Sequence, residues 1–230
     1  MTSTDLFAGL ADRRTTADAV FDELNRRIGA LELRPNDRIS EAEIAAEFGV
    51  SRQPVRDAFS RLGSLGYLSI RPQRATLVNR FSLEAIRTAR FVRLAVEVEV
   101  ARTLADRAGD ASFGRLRRIL KRQAGAVGQA DMAAFHDFDD EFHHELCRQA
   151  GQEGAIDTIR TMKAQVDRLC LLSLHHADEM STLLEDHGRI AEAIAAGTPE
   201  DAANAVRTHL GRLDRIIEEV RSLHPDYFEC

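Results

Sequence analysis

The sequence predicts a mainly α protein of two domains, a winged helix-turn-helix over residues 1–80 and an all-helical bundle over residues 81–230. Three observations carry that prediction. A short amphipathic helix, a tight turn and a second helix with a basic outer face stand in series over residues 40–62. Two β-prone runs follow over residues 65–78, with a proline-containing turn between them. Every later segment carries apolar residues at a 3.6-residue period, punctuated by glycines.

In chain order, residues 1–14 show no clear periodicity. Thr16 is the expected cap of a helix reaching Leu33, with Ala17, Val20, Phe21, Leu24, Ile28 and Leu31 on one stripe and Arg34-Pro-Asn-Asp37 as its stop. Ser40 caps the next helix, residues 41–48, and Gly49 closes it three residues before Arg52. The stretch GVSRQPVRDAFSRL, residues 49–62, then opens the second helix of the pair. Ser51 is suited to accept from free amides of the first turn, and Pro54 sits where its missing N–H costs little. Val55, Ala58, Phe59 and Leu62 fall at i, i+3, i+4 and i+7, a face that must be buried. The opposite face presents Ser51, Arg52, Gln53 and Arg56, donors that reach guanine edges, adenine edges and phosphates.

Charge supports that use. Residues 49–80 hold six Arg against one acid, Asp57, a net of +5 in a chain whose total is −6. Such a patch draws affinity from released counterions, while only side chains at base edges choose sequence. Residues 81–230 hold 19 basic and 26 acidic residues, a net of −7, so this half is repelled by DNA and serves another purpose. No apolar run approaches the ~20 residues of a membrane span and no signal-peptide pattern opens the chain, which predicts a cytoplasmic protein without membrane contact. Three cysteines without CxxC spacing point to neither a disulfide framework nor a zinc knuckle; Cys147 reads as core filler and Cys230 as a free tail.

In the second half, helices are expected over residues 82–107, 112–127, 130–150, 154–175, 178–196 and 199–223. Thr198-Pro199 is a cap-plus-N1 pair, and the short break before it folds two helices into an antiparallel hairpin. Asp139 and His143 stand at i and i+4, a spacing at which a carboxylate and an imidazole can chelate one ion. His187 and His209, on the last two predicted helices, complete an N3O set suited to zinc, nickel, manganese or iron. Periodicity alone does not single these out among eight histidines: His136, His144, His175 and His176 are rivals, and Asp140 can replace Asp139.

Five stretches together resemble the FadR subfamily of GntR-type bacterial transcription regulators, over about residues 16–220. They are GVSRQPVRDAFSRLGSLGYL, Arg93-Leu-Ala-Val-Glu97, Asp139-x-x-Phe142-His143, Asp186-His187-Gly-Arg-Ile-Ala-Glu-Ala-Ile194 and Thr208-His209-Leu210. The resemblance implies an FCD-type helical effector domain and a homodimer that binds a palindromic operator in double-stranded DNA. It implies a divalent transition metal on Asp139, His143, His187 and His209, with zinc the leading candidate, and a small carboxylate effector that ligates it. Arg93 then has two readings, an effector-carboxylate contact or a partner for Glu97. Ser51, Arg52, Gln53, Arg56 and Arg74 are the expected DNA contacts, although Arg74-Ala75-Thr76 stands where relatives usually show Gly-Thr at the wing tip. Ala150-Gly-Gln152 replaces a common Ala-Gly-Asn. The expectation is a repressor of a catabolic operon and not an enzyme; the rivals are a metal-dependent enzyme and a constitutive DNA-binding dimer with a structural metal.

Overall fold

The computed structural model describes residues 15–71, 75–107, 110–173 and 177–229; Arg74, His175, His176 and Cys230 lie outside them. The chain divides into two compact units, one running to Ser82 and taking in the residues from His224 onward, the other spanning Leu83–Leu223.

The described part of the first unit holds α1 (Thr16–Gly29), β1 (Arg38–Ile39), α2 (Glu41–Phe48), α3 (Arg52–Ser64), β2 (Leu68–Ser69) and β3 (Thr76–Val78). Thr15, one residue before the expected cap, closes a capping box. The Asp18 amide donates to its hydroxyl at 3.1 Å, and the Asp18 carboxylate accepts from the Thr15 amide at 3.0 Å. The helix stops at Gly29 rather than Leu33, and left-handed backbone at Leu31 and Asn36 (φ 56° and 71°) turns the chain. Gly49, at φ 66°, makes the tight turn between α2 and α3 that a side chain would strain. Val55, Ala58, Phe59 and Leu62 are all at most 1% exposed, as the spacing predicts, and α1 and α3 pack together. Ser51 holds the N-cap position of α3, but its hydroxyl makes no cap bond.

The strands form one antiparallel sheet in the order β1-β3-β2, with Arg38 opposite Leu77 and Leu68 opposite Val78. Two residues at β1 are too few for a period-2 signal, so that strand was illegible in the sequence. The sequence reading put residues 224–229 with the bundle, yet they belong to the first unit. Phe81 donates its amide to Tyr227 at 2.8 Å and accepts from the Glu229 amide at 2.9 Å, and the Phe81 and Phe228 rings, both buried, lie 5.2 Å apart.

The second unit is helical: α4 (Leu83–Asp106), α5 (Asp110–Gly128), α6 (Met132–Gln149), α7 (Ile156–Ser173), α8 (Ala177–Ala195), α9 (Pro199–Gly211) and α10 (Leu213–Leu223). The single helix expected over 199–223 is two. Gly211 is a poor helix former, and the Arg212 amide closes a tight turn on the His209 carbonyl at 3.2 Å. Thr198 turns its hydroxyl to the Ala193 carbonyl at 3.2 Å instead of capping α9. Val98, Ala101 and Leu104 of α4, Phe142 and Leu146 of α6, Ile190 and Ile194 of α8, and Ala202, Ala203 and Val206 of α9 share one core. The alanines let α9 approach α4 and α8 closely. Cys147 is buried in that core as filler, and burial pushes its thiol up to about 11. Among the described residues no helix is long and apolar enough to cross a membrane.

Candidate metal centre and nucleic-acid interface

Three helices bring four side chains to one point. Asp139 and His143 project from adjacent turns of α6, His187 comes from α8 and His209 from α9, and one ligand atom of each lies within 4.8 Å of all the others. None is more than 8% exposed. Nε2 of His187 is 3.4 Å and Nε2 of His143 is 3.9 Å from the same Asp139 oxygen, Oδ1.

Behind the imidazoles stands a row of acceptors. Nδ1 of His143 lies 2.6 Å from Glu97 Oε2 on α4, Nδ1 of His187 lies 3.0 Å from Gln123 Oε1 on α5, and Nδ1 of His209 lies 3.8 Å from Asp186 Oδ2 on α8. Arg212 anchors Asp186 in turn, with Nη2 at 2.9 Å from Oδ1. The Gln123 bond favours the His187 tautomer that leaves a lone pair on Nε2, the usual arrangement behind a metal-bound histidine, whereas Nδ1 of His143 and of His209 make no hydrogen bond to the carboxylates they face. Nε2 of both His143 and His187 is buried without a hydrogen-bond partner, a costly state that a cation at the centre would relieve.

The electrostatics match. Burial, then the neighbouring His209, holds His187 well below the usual imidazole range, and burial lowers His209 despite Asp186. Burial alone would raise Asp139, but Lys163 and then the three imidazoles keep it well below the usual carboxylate range. Imidazoles that give up a proton more readily than usual, beside a carboxylate that does the same, suit a divalent ion.

Among the described residues, the rivals stay outside this group. His136 contacts Asp167 at 3.6 Å and the Lys163 ammonium at 3.5 Å, Asp140 pairs with Lys163 at 2.7 Å, and His144 is not among the clustered ligands. Next to the centre lies a cavity of about 60 Å³ whose wall includes Arg93, Phe135, Asp139, Lys163, His209 and Leu213. Arg93 is 7% exposed: Nε makes the pair with Glu97 Oε1 at 2.6 Å that the i+4 spacing offered, while Nη2 has no hydrogen-bond partner. Sequence reasoning missed Gln123 and Lys163, and it quoted Asp186 within a motif without giving it a role. Gln123 carries no motif of its own; Lys163 is one of only two lysines in the chain, a faint signal.

In the first unit, Ser51, Arg52, Gln53 and Arg56 are all exposed on α3. Gln53 donates to Asp57 at 2.9 Å, and Arg56 reaches Glu41 of α2 at 3.4 Å. Arg52 borders a groove shared with Arg38 and Glu41 on one side and Arg71 and Thr76 on the other. Arg38 was not singled out in the sequence because it precedes the helix pair by chain order, yet it borders the same groove as Arg52. Arg61 is taken by the fold: it donates to Asp18 at 2.7 Å and lies 4.0 Å above the Phe21 ring. The positive face is therefore smaller than the residue count implies, and Glu41 and Glu43 border it.

A family model described as bacterial regulatory proteins of the gntR family matches residues 16–78, and an FCD domain model matches residues 89–212. The chain belongs to the GntR family, with an FCD domain. This GntR/FCD protein is 33% identical over 91% of its length to the HTH-type transcriptional repressor RspR of Escherichia coli K12, covering 92% of that protein. It is 26% identical to the HTH-type transcriptional regulator LutR of Bacillus subtilis, over 81% of this chain and 94% of the other. Among solved structures, E. coli McbR/YncC superposes with a TM-score of 0.73 at 17% identity, covering 90% of this chain and 98% of its own, which shows a shared fold. The GntR/FCD chain is a transcription regulator of the DNA-binding GntR type and not an enzyme.

Proposed function

We propose that this GntR/FCD regulator is a repressor of a catabolic operon, bound as a homodimer to a palindromic operator and released when a small carboxylate enters the cavity of its helical unit. The observation that carries the reading is the juxtaposition of the Asp139/His143/His187/His209 cluster with a cavity walled in part by Arg93, whose Nη2 lacks a partner. A divalent ion on those four residues, zinc first and nickel, manganese or iron as alternatives, supplies a Lewis-acidic point for an oxygen anion. The chain does the rest. Gln123 orients the His187 imidazole, Glu97 and Asp186 place negative charge beside His143 and His209, and Arg93 takes a carboxylate oxygen of the effector. Phe135 and Leu213 shield the charge from water. The effector shifts the operator equilibrium by its differential affinity for the two states.

On DNA, Arg52 and Arg56 read bases, Gln53 contacts a base or phosphate, and Ser51 and Arg74 hold phosphate or groove. Arg38 and Arg71 extend that set because both border the Arg52 groove. A catabolic target is supported by a relative 27% identical over 86% of this chain, named as a probable D-xylose utilization operon repressor of Paenarthrobacter nicotinovorans. The test begins with selection of an operator from random duplexes by full-length protein. Fluorescence anisotropy of that operator then follows a titration with small organic and sugar acids, on zinc-loaded and chelator-stripped samples. Release by an acid from the zinc-loaded sample alone is the expected result. Binding that no acid alters in either sample would replace this reading with a constitutive dimer.

A further inference from the structure

Lys163 of α7 is 5% exposed, and its ammonium lies 2.7 Å from Asp140 Oδ1, 2.8 Å from Asp167 Oδ1 and 3.1 Å from Asp139 Oδ2. Three carboxylates ring the ammonium, Asp167 accepting a hydrogen bond and Asp139 and Asp140 within ion-pair distance, and His136 Nδ1 stands 3.5 Å away, so its charge is engaged within the protein rather than offered to an effector in the cavity. Arg93, by contrast, keeps Nη2 free. The two buried cations of that wall therefore have different work. Asp139 is divided between Lys163 and the imidazoles: Oδ1 faces His143 and His187, and Oδ2 faces Lys163.

We propose that Lys163 is a built-in counter-cation that competes with the metal for Asp139, neutralises part of the acidic cluster in the metal-free protein, and so sets the affinity of the centre. The inference rests on the metal-centre reading above. Two effects of Lys163 oppose one another. An outer partner that orients a ligand strengthens metal binding, typically by 10–100-fold. A like charge weakens it. With a metal–oxygen bond of about 2.2 Å, an ion on Oδ1 stands at most ~7 Å from Nζ, and at an effective dielectric near 20 the repulsion of a divalent ion by an ammonium at that range exceeds a hundredfold in affinity. Orientation contributes less than usual here, because Asp139 is already held by its α6 backbone next to His143. Repulsion wins.

The test is chelator competition for zinc on the full-length protein, wild type against Lys163→Met. The variant is expected to bind zinc at least tenfold more tightly. Its metal-free form, with three clustered carboxylates and no ammonium, is expected to melt below the metal-free wild type, and zinc is expected to close that gap. Equal or weaker zinc affinity overturns the proposal. If Lys163→Met does not fold without metal, Lys163→Met with Asp167→Asn removes one acid together with the cation, and the same tightening is required of it. A wild type that binds no zinc would defeat the metal-centre reading and this inference together, whereas a wild type that binds while neither variant tightens would defeat the inference alone.

Discussion

Asp139→Asn is the change that isolates the metal centre from the fold. Asn matches Asp in size, leaves Lys163 its two other carboxylates at 2.7 and 2.8 Å, and removes the only anionic ligand of the cluster. For the wild type, zinc at a hundred times its dissociation constant adds about 2.7 kcal/mol to stability. The unit that would carry the ion, Leu83–Leu223, has 141 residues. At ~2.1 cal/mol/K per residue its unfolding entropy is about 0.3 kcal/mol/K, so zinc should raise the melting temperature by about 9 °C. Loss of the carboxylate should weaken binding at least as much as loss of an outer-shell partner at its strongest, about 100-fold. At the same zinc concentration the stabilisation then falls to about 0.4 kcal/mol and the shift to about 1 °C. Differential scanning calorimetry with zinc or a chelator reads both numbers. Equal zinc shifts in wild type and Asp139→Asn would place any ion elsewhere and refute the argument.

Four further outcomes follow from the same geometry. Arg52→Ala, at an exposed side chain, should leave stability within about 0.5 kcal/mol and cost about 1–3 kcal/mol of discrimination between operator and random duplex; an unchanged ratio removes Arg52 from the readers. Glu41→Gln frees Arg56 from its 3.4 Å partner and takes an acid off the groove, so binding to any duplex should tighten and its salt dependence steepen; no change in either would put Glu41 out of reach of DNA. Gly49→Ala meets no atom within 4 Å, so its cost is that of left-handed backbone alone, about 1–2 kcal/mol by urea unfolding. Phe228→Ala should destabilise the first unit by about 3 kcal/mol and expose the Phe81 and Glu229 amides to hydrogen exchange, while zinc affinity of the other unit stays as it was.

Much of this molecule is legible in one dimension because the forces concerned are local. The buried face of α3 follows from four residues at i, i+3, i+4 and i+7, and the α2–α3 turn from a glycine at φ 66°. The i, i+4 spacing that joins Asp139 to His143 is likewise a property of one helix. Even so, local rules erred in places: Ser51 and Thr198 occupy cap positions without capping, Thr198 because its hydroxyl turns to the Ala193 carbonyl, and the helix expected through residue 223 breaks at Gly211. What the tertiary structure alone decided is everything that spans helices. It brought His187 and His209 to Asp139, chose Glu97, Gln123 and Asp186 to stand behind the imidazoles, set Lys163 among three carboxylates, carried Glu41 to the basic face and returned Phe228 to Phe81. Apart from Asp167, one turn from Lys163 on the same helix, these pairings lie 15 residues apart or more, at no fixed sequence interval. Helical periodicity says which face of a segment is buried, but the crossing and rotation of the packed helices decide which buried polar atoms meet.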